Sequence, residues 1–499
     1  MNRRLPRSIQ WAAHLDFRGL TALIVTCLMI SYPSATWADQ VTGPPKPPLA
    51  REVFQPLKES LQLSYLELFN QAATLEFSPP QIELMRKYLK EARGYCTKQW
   101  NQKIDAYERD LHTAQAELKQ RTANLSRDER KQFHCRIQNL RIQKGDAEML
   151  VRQAIPIAYE NRLAKLDVIE KWPAEKQKIE EEKRSGIYRQ RRYGDVEDIG
   201  FRDVGRGQEK DIKVGRETVR QMKLAGLMPR EVKNEAVQRY VTKLERKIAA
   251  HSDLRVPVQV TVLDSKEINA FALPGGFVFV QRGLLEAVED ESQLAGVLAH
   301  ETAHAAARHG HRLMKRATIA SVIYQAAEIG AMVLTGGVAS IGAYYALQYG
   351  FYGLGMVLSL QMLGVSRECE LEADQLGIQY AWNAGYDPTG FIRFFDKMAT
   401  REGYVQGLSW FRTHPPFYQR MVDAEREISF LPKKENLVRQ TPAFEQMKKE
   451  LAKVTAQAKE DEQGRPSLLA PEQGCPAPPK VGFKPGERRI ETVCPLPEY

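Results

Sequence analysis

Residues 300–304 read His300-Glu301-Thr302-Ala303-His304. On an α-helix, residues four apart share a face, one turn above the other. Two imidazoles at that spacing converge on one metal ion, and the Glu beside the first reaches a water on the same ion. The residues just upstream fit a helix start, because Asp290-Glu291-Ser292-Gln293 offers a carboxylate cap with a Gln three positions on. Leu294, Val297 and Leu298 then make one apolar stripe, and Ala303, Ala305, Ala306 and Ala307 are small enough for close packing around a buried site.

A two-histidine site needs a third protein ligand. The candidate lies further on, in Ser366-Arg367-Glu368-Cys369-Glu370-Leu371-Glu372-Ala373-Asp374. Glu370 and Asp374 are again one helical turn apart. Glu370 suits the carboxylate ligand of a two-His-one-Glu zinc site, and Asp374 suits an acceptor for the outer N–H of a ligating His. A solvated, charged helix face is the default for a Glu-rich run. The upstream motif favours the ligand reading.

With Asn269-Ala270-Phe271-Ala272-Leu273-Pro274-Gly275-Gly276 added, these segments resemble the M48 (Ste24/HtpX-like) family of zinc metallopeptidases, in the order and spacing of its soluble periplasmic members. The resemblance covers about residues 204–430. It implies one Zn2+ per chain on His300, His304 and Glu370, Glu301 as general base, and polypeptide substrates. It also implies that the strand carrying Asn269, Ala270 and Phe271 lies at a sheet edge over the cleft, where an extended peptide can add as a strand. The alternative is a plain hairpin with Phe271 in the core. His414, in Arg412-Thr413-His414-Pro415-Pro416, is implied to contact the substrate oxyanion or cap the metal in a closed state; a structural His before Pro is the alternative. Arg420 is expected to be a structural partner for nearby acids.

The chain of 499 residues is long for one domain. With 43% hydrophobic and 27% charged residues it is an ordinary globular chain, neither disordered nor a multi-span membrane protein. Its formal charge is +10, of which Arg3, Arg4, Arg7 and Arg18 against Asp16 supply +3. No basic stripe interleaved with aromatics points to nucleic acid. Residues 1–38 read as a secretory signal: a basic start, the apolar run Leu20 to Ile30, and Thr36-Trp37-Ala38 before Asp39. An uncleaved anchor or a transit peptide are the alternatives; export predicts a periplasmic location.

Beyond Cys27 there are five cysteines, Cys96, Cys135, Cys369, Cys475 and Cys494, so at least one thiol stays free or pairs between chains. Cys475 and Cys494 flank a Pro- and Gly-rich segment and are expected to staple the tail. A straight helical hairpin turning near Asn124 keeps Cys96 and Cys135 apart, so a bridge between them requires a break, for which Gly94 is the candidate.

The expected fold class is mainly α with a small β-sheet (α+β): a gluzincin-type domain preceded by a long helical hairpin or coiled coil. The expected divisions are 1–38 signal, 39–195 helical region, 196–435 metallopeptidase domain and 436–499 helix plus Pro-rich tail. Residues 55–185 are charged and poor in Gly, with a capping box at Ser126 to Glu129. They read as a solvated spacer or as an arm for an oligomer or partner. Arg189 to Arg192 reads as a hinge. Helices are expected from Glu209 to Met222 and from Pro229 to Ala250, then strands at Val256 to Leu263, Ile268 to Ala272 and Phe277 to Gln281. Residues 329–364 contain no Asp, Glu, Lys or Arg, enough for two short membrane spans. The density of Gly and Ala and the breaks at Gly336-Gly337, Gly350 and Gly353 favour burial or membrane-surface contact over spanning. Two rival functions fit the same motifs: a zinc-containing, chaperone-like binder of envelope proteins with gated or weak protease activity, and a zinc amidase or esterase. The edge strand argues against the second.

Overall fold

The computed structural model describes residues 44–187, 192–224, 228–314, 367–398 and 417–463, together with Cys475, Val481 and residues 494–496. The expected signal, residues 329–364, His414 and Arg189 to Arg191 lie outside the described residues. The architecture is mainly helical with one three-stranded sheet, which is the class expected.

The helical arm rises through Pro79–Arg121, turns in the short 3-10 segment Thr122–Asn124 and returns through Arg127–Met149. Ser126 starts the return helix as a full capping box: its hydroxyl accepts from Glu129 N, and Glu129 accepts from Ser126 N. The return then passes through a π-helical turn, Leu150–Ala154, into Ile155–Ser185. Pro156 accounts for that turn, because it has no N–H and its ring crowds the carbonyl of Arg152. At the base of the arm, Phe54 meets Tyr88 edge-on at 5.4 Å and Phe69 packs on Trp172 at 4.7 Å. Each such buried side chain stabilises the fold by about 1.5–3 kcal/mol. Lys165 is fully buried here, and its ammonium donates to Leu61 O at 3.1 Å and Leu63 O at 2.6 Å. Both acceptors follow the C-terminal end of the Arg51–Ser60 helix, where a cation is favoured.

The cysteine pairing differs from expectation. Cys96 pairs with Cys494 and Cys135 with Cys475, and buried Cys369 is left as a thiol. The hairpin does keep Cys96 and Cys135 apart, but the C-terminal tail returns to the arm and meets each of them. Arg162 donates to Cys494 O at 3.1 Å, which adds a polar contact beside the bridge.

The sheet has the order β1-β3-β2, from Gln259–Leu263, Phe277–Gln281 and Ala270–Leu273. β1 runs parallel to β3 and β2 antiparallel to it. The β2–β3 turn is the expected Pro-Gly-Gly, with φ +84° at Gly275 and +81° at Gly276, a region only glycine enters cheaply. Alternation sorts the side chains: Ala270, Val278 and Val280 join the main core, whereas Phe271, Phe277 and Phe279 pack with Met222 and Met228 on the other face. The helix expected from Pro229 is instead Glu235–Ala249, capped by Asn234, whose side chain accepts from Ala236 N and Val237 N. Residues 230–232 lie extended beside β1, with Val232 N donating to Val262 O at 2.8 Å.

The helix Glu291–Ala306 lies at the centre. Asp290 caps it through Gln293 N at 3.0 Å, while the Gln293 side chain accepts from Glu289 N. Every residue of this helix is buried, so the apolar stripe anticipated on one face understates its burial. Helix Arg367–Asn383 packs along it. Gly377 permits the approach, since a Cβ there would stand 2.9 Å from the Cα of His300.

Candidate metal centre

The helical spacing places His300 and His304 on one face of the Glu291–Ala306 helix, with their Nε2 atoms 2.9 Å apart. Glu370 enters from the neighbouring helix, its carboxylate 3.6 Å from His300 Nε2 and 3.4 Å from His304 Nε2. All three are buried, and one ligand atom from each lies within 4.8 Å of the others. The outer nitrogen of His300, Nδ1, is 2.9 Å from Asp374 Oδ1. A carboxylate there accepts a hydrogen bond from the ring N–H at Nδ1 and leaves the Nε2 lone pair facing the cluster. Burial pushes the His300 imidazole down to about 4, although Asp374 favours its charged form. Two imidazoles and one carboxylate, out of water and close together, fit a divalent metal that prefers mixed N and O ligands, zinc among them.

Arg420 completes the inner structure. Its guanidinium forks onto Asp374 and also reaches Glu370 Oε2 at 3.1 Å. Burial alone would raise the Asp374 carboxyl, but the Arg420 charge and the bonds from His300 and Arg420 hold it below the usual range. This is the structural partnership with nearby acids expected of Arg420.

Glu301 is buried beside His300. Burial, then the charges of Glu370 and Glu245, push its carboxyl well above the ordinary value. It accepts a hydrogen bond from the backbone N–H of Ala272, on β2. Asn269 O accepts from Gln281 N at 2.9 Å, so the alternation of main-chain groups turns those of Ala270 and Ala272 away from β3. β2 thus lies at the edge of the described sheet and meets the site through its backbone. The side chains of Asn269, Ala270 and Phe271 are buried, and Phe271 stacks on Phe279 with ring centroids 4.9 Å apart. That places Phe271 in the core, the alternative anticipated for it.

Three residues were not anticipated. Glu245, fully buried, accepts from Thr302 Oγ1 at 2.6 Å, and burial pushes its carboxyl up to about 8. His309 lies against His304, and Glu372 lies against His309. Glu372 stands in the same Glu-rich run as Glu370, and His309 five residues beyond His304; those positions were the only signal for either.

A sequence model of peptidase family M48 matches residues 231–428. The chain is 28% identical to the beta-barrel assembly-enhancing protease of Yersinia pestis over 226 residues, 44% of each chain. It is 31% identical to the putative beta-barrel assembly-enhancing protease of Vibrio cholerae over 212 residues, 41% of this chain and 42% of that one. Over 185 residues it is 31% identical to the mitochondrial metalloendopeptidase OMA1 of Schizosaccharomyces pombe, covering 36% of this chain and 50% of the relative. The chain therefore spans about half the length, or less, of these relatives. The residues matched by the family model, 231–428, carry the buried His-His-Glu cluster, and over that stretch the chain is similar to peptidase family M48.

Proposed function

We propose that the chain is a zinc-dependent metalloendopeptidase that cleaves polypeptides, with His300, His304 and Glu370 as its metal ligands. The observation that carries this reading is the buried cluster of two imidazoles and one carboxylate, with Glu301 beside it and the backbone of β2 along its side. Zinc held there would supply a Lewis acid and a water of lowered pKa. Glu301 takes a proton from the attacking water and returns it to the leaving amine. Burial and like-charged neighbours raise the affinity of Glu301 for a proton, and a bound cation would oppose them and leave the carboxylate free to accept one. Asp374 orients His300, and Arg420 keeps Asp374 ionised and lies against Glu370. Ala270 and Ala272 offer main-chain groups to an extended peptide, which favours a peptide over a non-peptide substrate. In this reading Asn269 and Phe271 shape the edge from within, and His414 assists the oxyanion.

The names of the bacterial relatives point to an envelope role, and a signal at residues 1–38 would deliver the chain to the periplasm. Misfolded or envelope proteins are the proposed substrates. Residues 329–364 are the proposed membrane-surface contact, and residues 55–185 the proposed partner or oligomer arm. Among the described residues no helix is long and apolar enough to cross a membrane.

The test is zinc content together with casein cleavage, for the mature protein and for Glu301→Gln. Stoichiometric zinc in both, with cleavage only in the parent, is the expected result. Zinc in both without cleavage would favour the gated, chaperone-like reading. Absence of zinc from both would overturn the proposal.

A further inference from the structure

We infer that His309 and Glu372 are positioning residues that set the tautomer of His304, through a relay one imidazole longer than the one behind His300. The inference rests on the zinc-site reading above. His304 Nδ1 lies 2.7 Å from His309 Nδ1, with the rings edge to face at 78°. His309 Nε2 lies 3.0 Å from Glu372 Oε2, and Arg312 donates to the same oxygen at 3.0 Å. His309 is buried.

The protons on this chain have only one arrangement that suits a metal. His304 presents Nε2 to His300 and Glu370, so a neutral ligating ring carries its proton on Nδ1. That N–H donates to His309 Nδ1, which must then be the lone pair. His309 therefore carries its proton on Nε2 and donates it to Glu372. Arg312 keeps Glu372 an acceptor. Reversing the relay would place the His304 proton on Nε2, inside the ligand cluster.

The backbone is built for this contact. On an unbroken helix, residues five apart are displaced by about 140° around the axis, too far for the two rings to meet head-on. The helix instead ends at Ala306, Arg308 adopts φ +58°, and a new helix begins at His309. A non-glycine residue in that region is uncommon. Arg308 is held there by Asp211, whose Oδ1 accepts from its Nη2 at 2.6 Å.

The experiment is the zinc dissociation constant from chelator competition, read without any activity assay, with circular dichroism to verify the fold. His309→Leu removes the acceptor and should weaken zinc binding by about 10–100-fold. His309→Gln restores an acceptor and should recover most of that loss. Affinity unchanged in His309→Leu would overturn the relay, and so would a His309→Gln as weak as His309→Leu, which would indicate packing alone. If His309→Leu does not fold, Glu372→Leu tests the outer end, where weaker zinc binding is expected and an unchanged constant overturns the inference. A parent protein that binds no zinc would sink the metal site itself, whereas zinc-binding parent and indifferent variants would sink only the relay.

Discussion

Arg420 meets Asp374 through two nitrogens, Nε to Oδ2 and Nη2 to Oδ1, each at 2.6 Å. Both residues are at most 2% exposed. The third nitrogen reaches the proposed ligand Glu370, and the guanidinium lies over the Phe395 ring at 4.8 Å. A planar fork on a carboxylate fixes orientation as well as charge. One arginine thus ties Glu370, a proposed ligand, to the acceptor beside His300, another.

Removing that cation should be severe. Arg420→Met would leave Asp374 and Glu370 buried without their counter-charge, a class of change that costs about 3–5 kcal/mol. Urea unfolding of the metal-free protein should show that loss. Arg420→Lys keeps the charge but not the fork, so it should recover stability better than zinc affinity. Equal stability of Arg420→Met and parent would mean that the pair contributes nothing net.

The approach of the two ligand helices depends on Gly377. A methyl group there would come within 2.9 Å of both the Cα and the N of His300. Backbone cannot yield as a flexible side chain does, so Gly377→Ala should force the helices apart and displace Glu370 from the histidines. The expected result is a folded protein with zinc affinity reduced by at least about tenfold, in line with the effect of disturbing ligand-supporting residues. Unchanged affinity would show that the helices slide past the methyl group.

The proximity of the candidate ligands was legible because two helical periods encode it: His300 to His304, and Glu370 to Asp374. Only their nearness in sequence to His304 and Glu370 hints at His309 and Glu372, and no helical period pairs them. They meet only because the chain breaks at Arg308, a residue type that does not signal a positive φ as glycine does. Pro229 misled for a related reason: proline permits a helix start, but Asn234 supplies the side chain that caps one. The alternation of β2 was readable, yet only the packing of Met222 and Met228 decides which face takes Phe271.

Glu245 predicts a pH dependence. Its folded value, about 8, lies above the ordinary 4.5, so between those pH values the folded state holds a proton that the unfolded chain has lost. By linkage this contribution to stability is fully present below the unfolded value, declines as pH rises, and is gone above the folded value. The decline amounts to a few kcal/mol, since each tenfold change in proton affinity is worth about 1.4 kcal/mol. Glu245→Gln keeps an acceptor for Thr302 and removes the titration. Urea unfolding at pH 5 and pH 8 should therefore show a smaller drop in the variant than in the parent. Parallel drops would place the titrating group elsewhere.

The two disulfides make a separate prediction about the tail. Cys96 to Cys494 and Cys135 to Cys475 join positions 398 and 340 residues apart, so both hold the C-terminal tail on the helical arm. Leu496 and Val481 are buried in the shared core, and Arg162 bonds Cys494 O. Bridges that close long loops remove much freedom from the unfolded chain, and losing a native one typically costs about 2–5 kcal/mol. Non-reducing peptide mapping should recover these two pairings, and a Cys475–Cys494 peptide would overturn the described path of the tail. The Cys96→Ser, Cys494→Ser double variant should melt at a lower temperature and expose the tail to limited proteolysis. Zinc affinity should change far less, because His300, His304, Glu370, Asp374 and Arg420 lie on neither the arm nor the tail. A comparable loss of zinc would instead mean that the arm and the metal centre are mechanically coupled.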